Sequence, residues 1–243
     1  MAVYFISDLH LNLQQPAMTA GFLNYLKSLN DAERLYILGD FFEAWIGDDV
    51  STPLNDAVEQ GLKALSDSGC ELFIMHGNRD FLIGNAFCQR TGATLIDENT
   101  VIQLGDQQVL LLHGDHLCLD DVEYQKVRLM LRNPAWQADF LSKTIPERIE
   151  FAKQARDQSK ASGQMKADDI MDVTQSAVDD ALSQSDTRIM IHGHTHRPKV
   201  HEWELDGQQR QRWVLGDWSE SQGWQIRWTE SDGLQLSQFD LSH

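Results

Sequence analysis

The stretch Val3-Tyr4-Phe5-Ile6-Ser7-Asp8-Leu9-His10 joins a short apolar run to two side chains that can bind metal ions. Its apolar residues, 3–6, predict a buried β-strand, because a strand covered on both faces is a continuous apolar run rather than an alternating one. Asp8 and His10 follow the strand at once and lie close together in sequence, so both can reach the same ion. This pattern, a buried strand that ends in metal-binding side chains, decides the fold class because it recurs along the chain.

The next two repeats of the pattern establish an alternation of strands and helices. An apolar run at 35–38 ends in Asp40, and a run at 72–75 is followed by Asn78. Such alternation predicts parallel strands joined by crossover helices, with site residues at the carboxyl ends of the strands. The connections between these strands carry apolar residues at helical spacing, at 17–29 and 54–65.

The second half of the chain predicts shorter strands in a different arrangement. Two of its apolar runs flank Gly105-Asp106, which is a hairpin signal. We expect these strands to form a second, mostly antiparallel sheet. Two facing sheets with helices outside give an α/β fold, a four-layer αββα sandwich of two mixed sheets, in one domain spanning 1–243. The predicted strands are 101–104, 109–112, 189–191, 200–205, 213–215, 224–228 and 234–239.

Composition limits the possible functions. With 243 residues and 42% apolar side chains, the chain can bury a sizeable core. Its net charge of -17 argues against binding nucleic acid, whose phosphates need a basic surface. Cys70, Cys88 and Cys118 lack metal-binding spacing and are interpreted as reduced thiols of a cytoplasmic protein. We expect a monomer without a membrane-spanning segment.

Five short motifs carry the side chains that suit metal binding. Taken singly, each motif is more typical of a surface turn, so only their conjunction and order indicate a shared site. Mixed imidazole and carboxylate ligands favour manganese, iron or zinc over calcium. Two such ions about 3.5–4 Å apart can activate a water and hold a phosphoryl oxygen. The motifs are Asp8-Leu9-His10, Gly39-Asp40, Gly77-Asn78-Arg79-Asp80, His113-Gly114-Asp115 and Gly193-His194-Thr195-His196.

Together the five motifs resemble those of the calcineurin-like metallophosphoesterase superfamily. The resemblance covers most of the chain and implies two divalent metal ions that share the carboxylate of Asp40. For the first ion it implies the ligands Asp8, His10, Asp40 and His196. For the second ion it implies the ligands Asp40, Asn78, His113 and His194.

One position departs from the superfamily pattern. Many members have His after the Gly-Asn pair, where it acts as a general acid, whereas this chain has Arg79. A guanidinium stays protonated in water and is a poor proton donor, but its shape suits a phosphate. Arg79 therefore favours a leaving group that departs without a proton, such as a phosphate released from a pyrophosphate bond. The alternative is that Arg79 only pairs with Asp80 or another nearby carboxylate.

Longer strings, at 36–49, 76–82, 170–173 and 191–198, resemble the enzymes that hydrolyse UDP-2,3-diacylglucosamine in lipid A synthesis of Gram-negative bacteria. This resemblance implies release of 2,3-diacylglucosamine 1-phosphate (lipid X) and UMP, with manganese as the cofactor, at the cytoplasmic face of the inner membrane. It implies catalytic roles for Asp40, Asn78, Arg79, His113 and His194. It also implies substrate contacts from Asn78, Arg79, Asp121, Ser159, Gly163, Lys166 and His194, although Gly163 replaces a polar residue.

The segment from about 121 to 166 predicts a helical insertion or lid between the motif of His113 and the motif of His194. It carries nine Lys and Arg residues and six Asp and Glu residues, which gives +3 within an acidic chain. We interpret the bases as contacts for lipid phosphates and the apolar residues, such as Trp136 and Ile149, as contacts for acyl chains. The alternative is that the apolar residues simply pack the insertion onto the core.

Two other functional classes remain open at this point. One is a calcineurin-like phosphodiesterase or phosphatase that acts on a nucleotide or a phosphoprotein, which Arg79 and the basic insertion argue against. The other is a binding module that keeps the fold without the chemistry, which the presence of every expected metal ligand argues against.

Overall fold

The computed structural model describes residues 1–163 and 172–241, with 158–163 described by their backbone alone. These residues form eleven β-strands and seven α-helices. The strands are β1 (Ala2–Ile6), β2 (Ala32–Leu38), β3 (Glu71–Met75), β4 (Ala93–Ile96), β5 (Thr100–Leu104), β6 (Gln107–Leu111), β7 (Ile189–His192), β8 (Lys199–Leu205), β9 (Gln208–Val214), β10 (Gln222–Thr229) and β11 (Gly233–Asp240). The helices are α1 (Pro16–Ser28), α2 (Pro53–Asp67), α3 (Asn85–Thr91), α4 (Val122–Leu131), α5 (Pro134–Ser142), α6 (Ile145–Gly163) and α7 (Gln175–Gln184).

The first sheet has the strand order β11-β10-β1-β2-β3-β4. Strands β1 to β4 are parallel, as the alternation of strands and helices predicts. The expectation that the last two strands belong to the second sheet is wrong, because β10 pairs antiparallel with β1 and places Trp228 opposite Val3. Without β10, the edge of β1 would leave backbone N–H and C=O groups without hydrogen-bond partners. The alternating pattern of β10 predicts a strand, but it does not indicate which sheet edge that strand joins.

The second sheet has the strand order β5-β6-β7-β9-β8. The expectation of a mostly antiparallel sheet is wrong at its centre, where β6, β7 and β9 are parallel. The hairpin partners β5 and β8 are antiparallel at the two edges. The connection from β6 to β7 is long and contains helices, which is what a parallel crossover requires.

Alternating side chains of the strands separate the protein into layers. Val3 and Phe5 of β1 pack in the core between the two sheets, together with Ile191 of β7. Tyr4 of β1, from the opposite face, packs in a core shared with α1, α2 and α3, and the far side of the second sheet packs against Val178 and its neighbours in α7. The structure therefore confirms the predicted αββα sandwich of two mixed sheets.

Helices α4, α5 and α6 occupy the segment predicted as an insertion, and most of its bases are paired within the protein. Arg148 is buried, donates to the carbonyl oxygen of Ile46 at 2.6 Å and forms a two-pronged ion pair with Asp49. It is therefore not available to a lipid phosphate. The other paired bases of the insertion are Lys126 with Glu123, Arg128 with Asp115 and Glu98, Lys143 with Asp139, and Arg156 with Glu43.

Within residues 1–163 and 172–241, no helix has the length and apolarity needed to cross a bilayer.

Replacing Arg148 tests whether this ion pair attaches α6 to the core. We expect Arg148→Ala to lower the free energy of unfolding by about 2 kcal/mol, because it removes charge-assisted hydrogen bonds from a buried group. Lys153→Ala, at an exposed position of the same helix, should change it by less than about 0.5 kcal/mol. Chemical denaturation followed by circular dichroism measures both variants, and equal stabilities would contradict the structural role of Arg148.

Candidate metal centre

The seven predicted metal ligands all follow strands of the two sheets and lie at one end of the sandwich. In the first sheet the ligands follow β1, β2 and β3, whose parallel direction brings their carboxyl ends to one edge. In the second sheet they follow β6 and β7, which are also parallel to each other. The ligands are Asp8 and His10 after β1, Asp40 after β2, Asn78 after β3, His113 after β6, and His194 and His196 after β7.

One group of ligand atoms comes from Asp8, His10 and His196, whose nitrogen and oxygen atoms lie within 4.8 Å of one another. The Nε2 atom of His196 lies 3.3 Å from Oδ1 of Asp8. The Nε2 atoms of His10 and His196 are also 3.3 Å apart. The arrangement forms a compact three-residue pocket for a cation.

A second group comes from Asp40, His113 and His194. The side-chain oxygen of Asn78 joins it, at 3.0 Å from Nε2 of His113 and 2.9 Å from Nδ1 of His194. The two oxygens of Asp40 face both groups, since Oδ1 lies 3.6 Å from Nε2 of His113 and Oδ2 lies 3.9 Å from Nε2 of His10. Asp40 thus has the geometry that a bridging ligand needs.

The hydrogen bonds of these groups fit bound cations. The Nδ1 atom of His113 donates to the carbonyl oxygen of Leu38 at 2.8 Å, so in the neutral ring Nε2 carries a lone pair and faces the oxygen of Asn78. Two lone pairs at this distance repel each other unless a positive charge lies between them. Oδ1 of Asp8 is likewise buried without a hydrogen-bond partner among the described residues. Imidazole, carboxylate and amide donors of this kind suit a divalent transition metal.

The protonation of the histidines indicates a negative field at the same place. Burial opposes a charged His10, but the hydrogen bond to Glu43 and the charges of Asp40 and Asp8 outweigh it and raise the pKa of His10 to about 9. Burial likewise opposes a charged His113, and the same two carboxylates raise its pKa. Without metal, protons occupy the positions that cations would take, so metal and proton binding compete.

Backbone strain concentrates in the metal-binding loops. Five of the eight non-glycine residues with positive φ in the described ranges are predicted metal ligands. Each such residue costs on the order of 1–3 kcal/mol and persists where the surrounding structure enforces it, most often at functional sites. The five are Asp8 (φ 56°), His10 (φ 49°), Asp40 (φ 49°), His194 (φ 65°) and His196 (φ 54°).

Two glycines of the motifs permit the loops to approach each other. A Cβ atom on Gly77 would lie 2.1 Å from the backbone nitrogen of Asp40, and one on Gly193 would lie 2.1 Å from Oδ2 of Asp8. The glycines therefore precede Asn78 and His194 because no other residue leaves room for the neighbouring loop.

Asp80 has a role that sequence reasoning missed. Its buried carboxylate accepts hydrogen bonds from the backbone nitrogens of Phe41 at 2.7 Å, Phe42 at 3.3 Å and Gly77 at 2.8 Å. Asp80 therefore joins the loop of Asp40 to the loop of Asn78. The sequence offers only the position of Asp80 in the Gly77-Asn78-Arg79-Asp80 motif as an indication of this role. It does not show which backbone nitrogens will donate hydrogen bonds to the carboxylate.

Arg79 does not pair with Asp80. Its backbone nitrogen donates to Oδ1 of Asp40 at 2.8 Å. The Nε atom of its side chain is buried and has no hydrogen-bond partner among the described residues. The Arg79 side chain thus forms no salt bridge with a residue in the described ranges.

A second missed element connects the insertion to the metal centre. Asp115 is fully buried and accepts hydrogen bonds from the hydroxyl of Tyr124 at 2.5 Å and from Nε of Arg128 at 2.8 Å. The Tyr124 ring lies 6.2 Å from the ring of His194. Asp115 belongs to a motif singled out in the sequence, where the motif alone gave it no role.

The remaining predicted substrate contacts lie in or near the insertion. Asp121 begins α4, where its Oδ1 accepts a hydrogen bond from the backbone nitrogen of Tyr124 at 3.0 Å. Ser159 and Gly163 lie in α6, where the structure describes the backbone alone. Lys166 lies outside the described residues.

The chain is similar to known proteins over most of its length. The family model described as calcineurin-like phosphoesterase matches residues 1–198. The chain is 50% identical over 240 residues to a UDP-2,3-diacylglucosamine hydrolase of Chromohalobacter salexigens, covering 98% of each chain. It is 51% identical over 226 residues to the protein of that name from Marinobacter nauticus, covering 92% of each. An archaeal phosphodiesterase structure has a TM-score of 0.48 at 13% identity, with 99% of this chain and 100% of that chain covered.

Replacing the bridging candidate tests the two-ion arrangement. We expect Asp40→Ala to lose both ions and to lower phosphoesterase activity by about a thousandfold or more, since it removes a ligand from each group. Asn78→Ala should cause a smaller loss that added manganese partly restores, because it removes one neutral ligand from one ion. Mass spectrometry of bound metal and activity assays measure both. Two ions retained by Asp40→Ala would contradict the bridging arrangement.

Proposed function

Because the chain belongs to the calcineurin-like phosphoesterase family, we propose that it hydrolyses the pyrophosphate bond of UDP-2,3-diacylglucosamine. The products are 2,3-diacylglucosamine 1-phosphate and UMP, and the reaction belongs to lipid A synthesis. The observation that carries this proposal is the identity of 44–51% over almost the whole chain with proteins named UDP-2,3-diacylglucosamine hydrolase. The two groups of metal ligands, complete in this chain, support a hydrolytic mechanism.

The proposed mechanism uses two divalent cations, for which we propose Mn²⁺. Held by these two groups of ligands, such cations would activate a water and would draw charge from the phosphoryl oxygens. Asp40 holds the two groups at a fixed separation through its two oxygens. His113 is held by its bond to the Leu38 carbonyl, so its Nε2 atom remains directed at the site. Asn78 and His194, in contact through Asn78 Oδ1, align the phosphate.

Arg79 takes the position of the family's usual acid, and we propose that it neutralises charge on the substrate instead. The leaving group of a pyrophosphate is a phosphate, which departs far more readily than an alkoxide and needs little help from a proton. A guanidinium beside the phosphates stabilises the charge that develops as the bond breaks. The unpaired Nε of Arg79 supports this role.

The insertion is proposed to bind the rest of the substrate and the cytoplasmic face of the inner membrane. Nine of the twelve large apolar residues that are exposed in the described ranges lie between 119 and 151. Such a concentration is typical of a surface that meets lipid or a partner. We propose that Asp121, Ser159, Gly163 and Lys166 contact the substrate there, and that the chain acts as a monomer of one domain. The nine residues are Leu119, Val122, Val127, Leu129, Met130, Leu141, Ile145, Ile149 and Phe151.

A product analysis tests the proposed reaction directly. The manganese-loaded protein is incubated with UDP-2,3-diacylglucosamine and, separately, with a nucleotide phosphodiester. We expect mass spectrometry to find UMP and the diacylated sugar phosphate from the lipid and little product from the diester. Rapid hydrolysis of the diester without cleavage of the lipid would contradict the proposal, and Asp40→Ala serves as the inactive control.

The role of Arg79 predicts a specific kinetic defect. We expect Arg79→Ala to lower kcat on the lipid substrate about a hundredfold, in line with the loss of one charge contact in the transition state. Its metal content should stay unchanged, because the Arg79 side chain contributes no metal ligand. Steady-state kinetics with metal quantification measure both quantities, and an Arg79→Ala variant of normal kcat would contradict the role.

Binding to vesicles of phosphatidylglycerol and phosphatidylethanolamine tests the proposed membrane surface. We expect the double variant Leu129→Glu, Ile149→Glu to lower the bound fraction at least about fivefold, because it removes apolar contacts and adds charges that anionic lipid repels. The matched control Leu13→Glu, Val101→Glu changes exposed apolar residues outside the insertion. This control should bind the vesicles better than the Leu129→Glu, Ile149→Glu variant does. Since the bases of the insertion are mostly paired, added salt should not weaken binding. Equal binding of the two double variants would contradict the assignment.

A further inference from the structure

The two groups of predicted metal ligands differ in what orients their imidazole rings. His113 of the second group directs Nδ1 at the backbone carbonyl oxygen of Leu38, 2.8 Å away, so its orientation is set by the end of β2. His10 of the first group instead has its Nδ1 atom 3.3 Å from Oε2 of Glu43. A carboxylate beside the outer nitrogen of a ligating histidine orients the ring and raises its basicity. The first group therefore depends on a side chain to which no role has been assigned.

The backbone fixes Glu43 beside His10. The loop that follows β1 and the loop that follows β2 run side by side, and the backbone nitrogen of Glu43 donates to the carbonyl oxygen of Leu11 at 3.1 Å. The backbone nitrogen of His10 donates to the carbonyl oxygen of Asp40 at 2.9 Å. The side chain of Glu43 is only 15% exposed, so little water competes for its oxygens. The carboxylate of Glu43 is therefore held at the Nδ1 edge of the His10 ring.

The other oxygen of the same carboxylate contacts the insertion. Oε1 of Glu43 lies 2.9 Å from Nε of Arg156, which belongs to α6. The two oxygens of Glu43 thus face a predicted metal ligand on one side and the insertion on the other. Arg148, about two helical turns earlier in α6, also contacts the loop that follows β2, through Asp49. Asp49, however, contacts none of the predicted metal ligands within residues 1–163 and 172–241.

We propose that Glu43 is a positioning residue that couples helix α6 of the insertion to the first group of metal ligands. Through Oε2 it fixes the ring of His10, so that Nε2, which lies 3.9 Å from Oδ2 of Asp40, remains directed at the site. Through Oε1 it holds Arg156, so a shift of α6 moves the carboxylate that orients the ring. Such coupling is reciprocal, so a cation in the first group must strengthen the attachment of α6 by the same factor. The proposal rests on the two cations of the proposed function and not on its lipid substrate.

Titration with manganese tests the effect of Glu43 on metal binding. The full chain is stripped of metal with a chelator, and the free ion is measured by electron paramagnetic resonance. We expect Glu43→Gln to weaken the binding of one ion at least about tenfold and to leave the other ion unchanged, as expected when a ligating histidine loses its carboxylate partner. Glu59→Gln is the matched control, because Glu59 pairs with Nε of Arg90 at 2.6 Å outside the metal centre. This control should bind both ions as the unmodified protein does.

The variant Arg156→Gln tests the link between the insertion and the first group. We expect it to weaken the binding of one ion about threefold, in the range that a partly exposed ion pair contributes, because Glu43 loses its contact with α6. Arg90→Gln is the matched control and should bind both ions normally. Equal manganese affinities of Glu43→Gln and Glu59→Gln, or of Arg156→Gln and Arg90→Gln, would overturn the proposal.

Hydrogen exchange of the backbone amides of α6 tests the reciprocal effect. Manganese should slow this exchange in the unmodified protein and in Glu59→Gln, and it should not slow it in Glu43→Gln. A purely structural Glu43 would change exchange in α6 equally with and without metal, and that result would also overturn the proposal. Because neither measurement involves turnover, failure of the coupling is distinguishable from failure of the proposed lipid hydrolysis.

Discussion

The mutual repulsion of electron-pair donors at the end of the sandwich is the constraint on which the rest of the site depends. Asp8, Asp40 and Asn78 bring oxygens within a few ångströms of imidazole nitrogens, and burial removes the water that would otherwise separate them. Burial is the largest influence on the pKa of Asp40 and raises it, so the charged carboxylate is disfavoured without a cation beside it. Cations relieve the repulsion, so the site is organised around positive charge that the chain itself does not supply.

Several features of the fold hold the oxygen and nitrogen atoms of the predicted metal ligands together against this repulsion. Parallel strands from both sheets end at the same place, and five of the seven predicted ligands lie on strained backbone. Gly77 and Gly193 allow the loops to approach, and Asp80 joins two of them through backbone hydrogen bonds. The free energy that offsets this repulsion therefore comes from the core, whose packing keeps the strand ends in register.

The strand ends could be predicted from the sequence, whereas the contacts that position them could not. Asp8 and Asp40 follow continuous apolar runs, and parallel strands place such residues at one edge of the sheet. The location of both residues can therefore be predicted from the sequence. The role of Asp80 depends on which backbone nitrogens approach it, and these belong to residues far away in the chain. The same limit explains the misplaced β10: its alternation specifies a strand, but its pairing with β1 depends on which sheet edge remains free. The interpretation of the bases of the insertion as contacts for lipid phosphates is wrong for Arg148, because composition does not distinguish an exposed base from a buried one.

The link between the insertion and the metal centre follows from the charge of Asp115. Burial opposes its ionisation, yet the charges of His113, His194 and Arg128 hold its pKa well below the usual range, so it remains a carboxylate. Detaching α4 would remove Arg128 and leave this charge buried without a partner, a change that costs about 3–5 kcal/mol in comparable pairs. Helix α4 is therefore attached to the loop of Asp115 by a buried ion pair. Tyr124, held by the same carboxylate, keeps its ring beside His194. The position of α4 is thus set by the same buried charges that surround the predicted metal ligands.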